Sequence, residues 1–339
     1  MLEARVTPAI ACPGCGTEVA AHFLICPACH RLVHADALKR LAGEAEVAEA
    51  ADDPTAALVA WRSALELLPP TSRQHETIRA KVDALGRRVD ATPGRKAAAA
   101  SKGDGGGGKW TGGAGLAGMA LMALSKGKLL LLGLTKASTL FSMFLTMGVY
   151  WTLWGWPFAV GLVLSIYVHE MGHVAALIRY GIKADAPMFI PGLGAVIRAR
   201  QHLASPREDA RVGLAGPLWG LGAALACWGG YFATGMPIFA GLAKVGALIN
   251  LFNLVPIWQL DGGRAFNAFG RSGRWLATVA ISMMWATTEE GLLAILTLCA
   301  AYRAAIDVAP KQTDRVSLAE YIGLVVVFAL MGRIETPLP

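Results

Sequence analysis

Charge is what this sequence has least of. Only 16% of its 339 residues are Asp, Glu, Lys or Arg, against 55% hydrophobic residues, and the mean hydropathy is +0.47. That balance excludes an ordinary soluble protein. Cysteine is scarce too. Of six, four form the pairs Cys12-x-x-Cys15 and Cys26-x-x-Cys29, a spacing that suits metal ligands in a reducing compartment rather than a disulfide framework. No dense basic patch interleaved with aromatics accompanies the net charge of +7, so nucleic acid is not an expected partner. The N-terminus lacks the apolar run of a cleavable secretory signal and goes straight into cysteines, which points to a cytosolic N-terminal region.

What is present changes along the chain. Residues 1–35 carry the two cysteine pairs, each able to point two thiolates at one ion, and read as a compact zinc ribbon. Four thiolates close a tetrahedral site, so Cys12, Cys15, Cys26 and Cys29 are expected to hold a structural zinc rather than a catalytic one. Residues 36–92 are alanine- and leucine-rich with helical periodicity. Asp53-Pro54 supplies a cap with a first-turn proline, and Pro69-Pro70 stops the helix that carries Trp61, Ala64, Leu65 and Leu68. The segment reads as a helical, tetratricopeptide-like hairpin, and one such unit cannot build a stacked groove. Residues 93–115, with an alanine run, four consecutive glycines and several lysines, read as a flexible linker suited to anionic lipid.

Apolar segments come next, at about 129–151, 156–178, 210–232, 238–257, 275–301 and 316–331, each near the length that crosses the hydrocarbon core. The fold expected is mainly α: a polytopic helical membrane protein with about six membrane segments and a short β-hairpin, preceded by the ribbon and helical pair. The membrane domain occupies 116–339. Orientation comes from basic residues. The connections at 152–157 and 233–237 contain no lysine or arginine, whereas Arg179, Lys183, Arg198, Arg200, Arg207 and Arg211 lie between the second and third segments. Arg264, Arg271 and Arg274 come after the fourth. The positive-inside rule makes these basic loops, and the N-terminus, cytoplasmic. The fifth segment holds Glu289-Glu290 in its middle. One full crossing would leave Arg303 and Lys311 outside, and two half-helices would return them to the cytoplasm.

In the second segment stands His169-Glu170-Met171-Gly172-His173. Two histidines at i and i+4 share a helical face and can bind one zinc ion, and the intervening glutamate can take a proton from water. The second and fourth segments both run inward, so Asp261, just past the fourth, is delivered to the same side as the histidines. That topology makes Asp261 the expected third ligand, with the fourth position left open to water.

His169-Glu170-x-x-His173, Ala215-Gly216-Pro217 and the run Asn253…Pro256…Leu260-Asp261-Gly262, in this order, resemble the site-2 protease family of intramembrane zinc metalloproteases (peptidase family M50). The resemblance covers about 116–274. It implies catalytic zinc on His169, His173 and Asp261, with Glu170 as the catalytic acid–base. The reaction would be endopeptidase cleavage within a transmembrane segment of another protein. Asn253 would contact substrate backbone or orient the site, and an interhelical hydrogen bond is its other reading. Gly216-Pro217 would kink or closely pack the third segment. The resemblance also implies a β-hairpin in the stretch 186–200 that holds unwound substrate by strand addition. Expected cofactors are one catalytic and one structural Zn2+. The expected partners are a transmembrane protein substrate, the lipid bilayer and a cytosolic protein binding through residues 1–92. The expected location is a bacterial cytoplasmic membrane. A catalytically silent membrane scaffold is the alternative, against which the intact metal and base constellation argues.

Overall fold

The computed structural model describes residues 9–91, 137–182, 184, 187–190, 194–196 and 203–335. Packing divides the chain into two compact units, Met1–Gly105 with Arg179–Ile182, and Gly106–Ile178 with Lys183–Pro339. The expected linker at 93–115, and the basic residues Lys183, Arg198 and Arg200, lie outside the described residues.

In the first unit, β1 (Ala9–Ala11) and β2 (Glu18–Ala20) pair antiparallel with Ile10 opposite Val19. The turn between them is tightened by Gly16, whose N–H donates to the Cys12 carbonyl at 2.8 Å and whose φ is +75°. His30 repeats the arrangement behind the second pair, with a bond to the Cys26 carbonyl at 2.9 Å and φ of 57°. The ribbon core is very small, formed by Cys12, Val19, Cys26 and Val33. A core of that size does not hold a fold by burial alone, which makes a metal clip the natural supplement. Three helices come after it, α1 (Ala35–Ala50), α2 (Pro54–Glu66) and α3 (Arg73–Ala91). Asp53 caps α2 by accepting from the N–H of Ala56 at 3.0 Å. Trp61 is buried, and its indole N–H donates to Glu49 of α1 at 2.6 Å. Three helices therefore occupy the stretch read as a helical pair.

The second unit is built from α4 (Ala137–Trp154), α5 (Trp156–Arg179), the antiparallel pair β3 (Met188–Ile190) and β4 (Gly194–Val196), α6 (Pro206–Thr234) and α7 (Pro237–Asn253). The short α8 (Asp261–Phe266), α9 (Arg271–Thr288), α10 (Gly291–Ala305) and α11 (Arg315–Gly332) complete it. Among the described residues, α5, α6 and α11 are long and apolar enough to cross a membrane, and Leu140–Trp154, α7 and α10 are shorter apolar helices. Within the described residues the expected segments reappear as helices, the first of them from Ala137, and one is divided. Glu289 adopts a left-handed backbone with φ of 55°, and Glu290 is the N-cap of α10. The break falls at the only two carboxylates of an otherwise apolar run, where a continuous helix would have held two charges in lipid. The two resulting helices pack against each other, and Arg303 returns to the end that carries Arg264 and Arg271, donating to the Gly263 carbonyl at 3.0 Å.

Helix α6 begins on a capping arrangement. Ser205 accepts from the N–H of Glu208 at 3.3 Å, while Glu208 accepts from the N–H of Ala204 at 3.0 Å. Gly235, with φ of +68°, ends it and turns the chain into α7. The core of the unit runs from Leu214 and Ala224 on α6 through Ala243, Ala247 and Leu251 on α7 to Tyr321, Val325 and Phe328 on α11. Its aromatic centre is Phe266, Phe269 and Tyr321, with ring centroids 5.3–5.8 Å apart. The Tyr321 hydroxyl, fully buried, donates to the Leu254 carbonyl at 2.8 Å, which pins the loop leading to Asp261. Tyr321→Phe removes this buried donor and is expected to cost about 1–3 kcal/mol, read as a lowered unfolding midpoint in detergent.

Candidate metal centre

Helix α5 places His169 and His173 one turn apart, so their imidazoles leave the same face. Both rings, and Glu170 between them, are buried at 5–7% exposure, as is Asp261 at 7%. Each histidine has its Nδ1 engaged. That of His173 donates to the carbonyl of Val212 on α6 at 2.7 Å, and that of His169 to Asn250 Oδ1 on α7 at 2.8 Å. The Asn250 amide is itself oriented, because its Nδ2 donates to the Gly246 carbonyl at 2.8 Å. With the proton fixed on Nδ1, each Nε2 presents a lone pair, the form that a metal requires.

Those lone pairs converge. The two Nε2 atoms are 3.2 Å apart, and Asp261 closes the triangle with Oδ2 at 3.2 Å from His169 and Oδ1 at 3.3 Å from His173. A tetrahedral ion with ligand bonds near 2.1 Å has donor-to-donor edges of roughly 3.4 Å. Two imidazole nitrogens and a carboxylate at these separations fit a zinc ion. The space for the rings is made by α6. A Cβ on Gly216 would lie 2.2 Å from His173 Nε2 and 2.7 Å from His169 Nε2. This close approach is what Gly216 of the Ala215-Gly216-Pro217 run provides, and α6 continues through Pro217 to Thr234. The carboxylate arrives on α8, which an ion pair between Arg264 Nε and Asp209 Oδ1 at 2.8 Å ties to α6.

The residues named from the sequence are thus gathered, with one difference at the asparagines. Asn253 is half-buried as the last residue of α7, and the bond to His169 comes from Asn250, one turn earlier and buried at 4% exposure. The run Asn253…Pro256…Leu260-Asp261-Gly262 singles out Asn253 and does not include Asn250, although Asn250 is equally a polar residue in an apolar helix. The Val212 carbonyl and Arg264 were also missed. A backbone carbonyl leaves no mark in a sequence, and Arg264 reads there only as one more cytoplasmic charge.

The four ribbon cysteines form the second group able to hold a metal among the described residues. Cys12 and Cys29 sulfurs are 3.6 Å apart and those of Cys15 and Cys26 are 3.7 Å apart, close to the roughly 3.8 Å edge of a tetrahedral site with 2.3 Å zinc–sulfur bonds. Thr17, whose hydroxyl and backbone lie against the Cys15 sulfur, holds that thiol down to about 6. Cys29, against a lowering hydrogen bond from the Arg31 backbone, is pushed up to about 12 by burial and by the neighbouring thiols.

Residues 157–244 match the family Peptidase family M50. Over 113 residues the chain is 30% identical to Zinc metalloprotease MJ0392 of Methanocaldococcus jannaschii, covering 32% of each protein. Over 108 residues it is 30% identical to Stage IV sporulation protein FB of Bacillus subtilis, covering 30% of this chain and 36% of that protein. The chain therefore spans about a third of the length of these curated relatives.

Both metal groups can be tested by what they bind. Gly216→Ala puts a methyl where the imidazoles meet, and metal content per chain is expected to fall to that of the ribbon alone, measured by atomic absorption. For the ribbon, zinc binding at neutral pH must displace the Cys29 proton, whereas Cys15, at about 6, is already largely ionised. Proton release per zinc should therefore increase, and affinity fall, as pH drops through about 6; calorimetry in buffers of different ionisation heat checks this.

Proposed function

From the premise that a peptidase family M50 segment carries the His169–His173 helix, we propose that this protein is an intramembrane zinc endopeptidase acting on transmembrane segments of other proteins. The observation that carries the reading is the convergence of three donors, two from α5 and one from α8, within the bundle formed by the apolar helices. Zinc held by His169, His173 and Asp261 would polarise the scissile carbonyl and lower the pKa of water. The rest falls to the chain. Glu170 accepts the proton of the attacking water as oxygen bonds to the carbonyl carbon. It then returns that proton to the departing nitrogen as the C–N bond breaks. Asn250 and Val212 hold the imidazoles in the tautomer that leaves Nε2 free, and Asn253 is kept as a contact for substrate backbone.

A transmembrane helix shields its peptide bonds with its own hydrogen bonds, so the substrate must unwind before attack. The pair β3–β4, with Phe189 opposite Ala195, supports strand addition as the means. The basic end formed by Arg207, Arg211, Arg264 and Arg271 supports a cytoplasmic placement of the site's opening and of residues 1–92. With that placement, the ribbon and helical unit serve as a cytosolic recognition module, and the host membrane is a bacterial cytoplasmic membrane.

The test is Glu170→Gln with a candidate membrane substrate in detergent or cells. Zinc is expected to stay, and cleavage to fall by about 10²–10⁴-fold. Unchanged cleavage would sink the mechanism. Asp261→Ala should instead lose the metal first.

A further inference from the structure

The third ligand sits on the least self-sufficient element of the bundle. Helix α8 has six residues, far below the length at which a helix holds itself together in isolation, yet it must fix the Asp261 carboxylate against two imidazoles at 3.2–3.3 Å. The Asp209–Arg264 pair ties down one side of it. The other side is held from a distant part of the chain. Arg303, near the end of α10, donates through Nη1 to the Gly263 carbonyl at 3.0 Å and to the Pro256 carbonyl at 3.4 Å, and through Nη2 to Asn267 Oδ1 at 3.1 Å. Its guanidinium also lies 5.9 Å from the Phe266 ring centroid. These contacts bracket Asp261, reaching chain before it, within its helix and just after it.

Arg303 is itself held in place. Its Nε donates to Asp307 at 2.5 Å. Its carbonyl accepts at 3.0 Å from Arg274, which is 1% exposed and also donates to the Phe269 and Val308 carbonyls. The hairpin of α9 and α10 therefore presents one planar fork, on a braced backbone, to the loop and helix that carry the third ligand.

We infer that Arg303 is a positioning residue for Asp261, and that the α9–α10 hairpin is in this way part of the metal site although it lies beyond the family-matched segment 157–244. The inference rests on reading His169, His173 and Asp261 as a metal centre. Carbonyls near the C-terminus of a short helix are acceptors without enough intrahelical donors, and a guanidinium can serve several at fixed angles. An ammonium is a single point of charge that cannot reproduce the fork. Loss of the fork frees α8 to rotate, which carries the Asp261 oxygens off the imidazole nitrogens.

The experiment reads metal binding rather than cleavage, on the full chain in detergent loaded with cobalt(II). Thiolate coordination at the ribbon gives sulfur-to-metal charge-transfer bands that a two-nitrogen, one-carboxylate site lacks, so one spectrum reports both sites. In Arg303→Met the affinity of the histidine site should fall by roughly 10–100-fold, the range for partners that orient metal ligands. Arg303→Lys should lie between Met and wild type, and the ribbon bands should be unchanged in both. Wild-type affinity at the histidine site in Arg303→Met overturns the inference. Should Arg303→Met fail to fold, Arg303→Lys decides: weakened binding supports the assignment and wild-type binding overturns it. A wild-type protein that binds cobalt there in an Arg303-dependent way but cleaves nothing would count against the peptidase reading alone. A wild-type protein with no binding at the histidine site would end both.

Discussion

Two imidazoles and a carboxylate can face one another across 3.2–3.3 Å inside a helical bundle only where a neighbouring backbone gives way to them. Gly216 is that place. In lipid, helices gain little from hiding apolar side chains from one another, because the tails are as apolar as leucine, and close backbone approach takes over as the source of cohesion. Two glycines meet the two needs. Gly172 lets α5 and α6 come together, since a Cβ there would lie 2.3 Å from the Ala215 carbonyl oxygen, and Gly216 leaves the volume that the imidazole nitrogens occupy. The Val212 carbonyl, which fixes the tautomer of His173, belongs to the adjacent turn of the same helix.

Around this contact the polar groups are arranged so that each ligand has a partner behind it. Val212 stands behind His173, Asn250 behind His169, and the helix clamped by Arg264 and Arg303 carries Asp261. Buried polar groups left unpaired are costly where water is excluded. A set of ligands that are individually braced also undergoes little rearrangement when a metal binds.

Much of this was legible in the sequence, for identifiable reasons. His169 and His173 are fixed by helical periodicity alone, and charge in the connecting loops was enough to bring Asp261 to their level. The cysteine spacing described the ribbon before any strand was seen. Elsewhere the local signal was silent or divided. Asn250 and Asn253 are one turn apart on the same helix, and only packing against α5 separates their environments. The run 275–301 has the apolarity of one span and the carboxylates of two, and the left-handed turn at Glu289 resolves it. Arg303 is a lone charge at the end of an apolar helix in the sequence, and its contacts with Pro256, Gly263 and Asn267 come from parts of the chain that no short-range pattern joins to it.

The turn at Glu289 and Glu290 also has a biosynthetic side. Insertion machinery reads hydrophobicity as the chain emerges, and a run such as 275–301 without charges would be long enough to be accepted as a single crossing. The turn at the two carboxylates instead folds α10 back along α9, so that Arg303 ends beside the Gly263 carbonyl and the helix that carries Asp261.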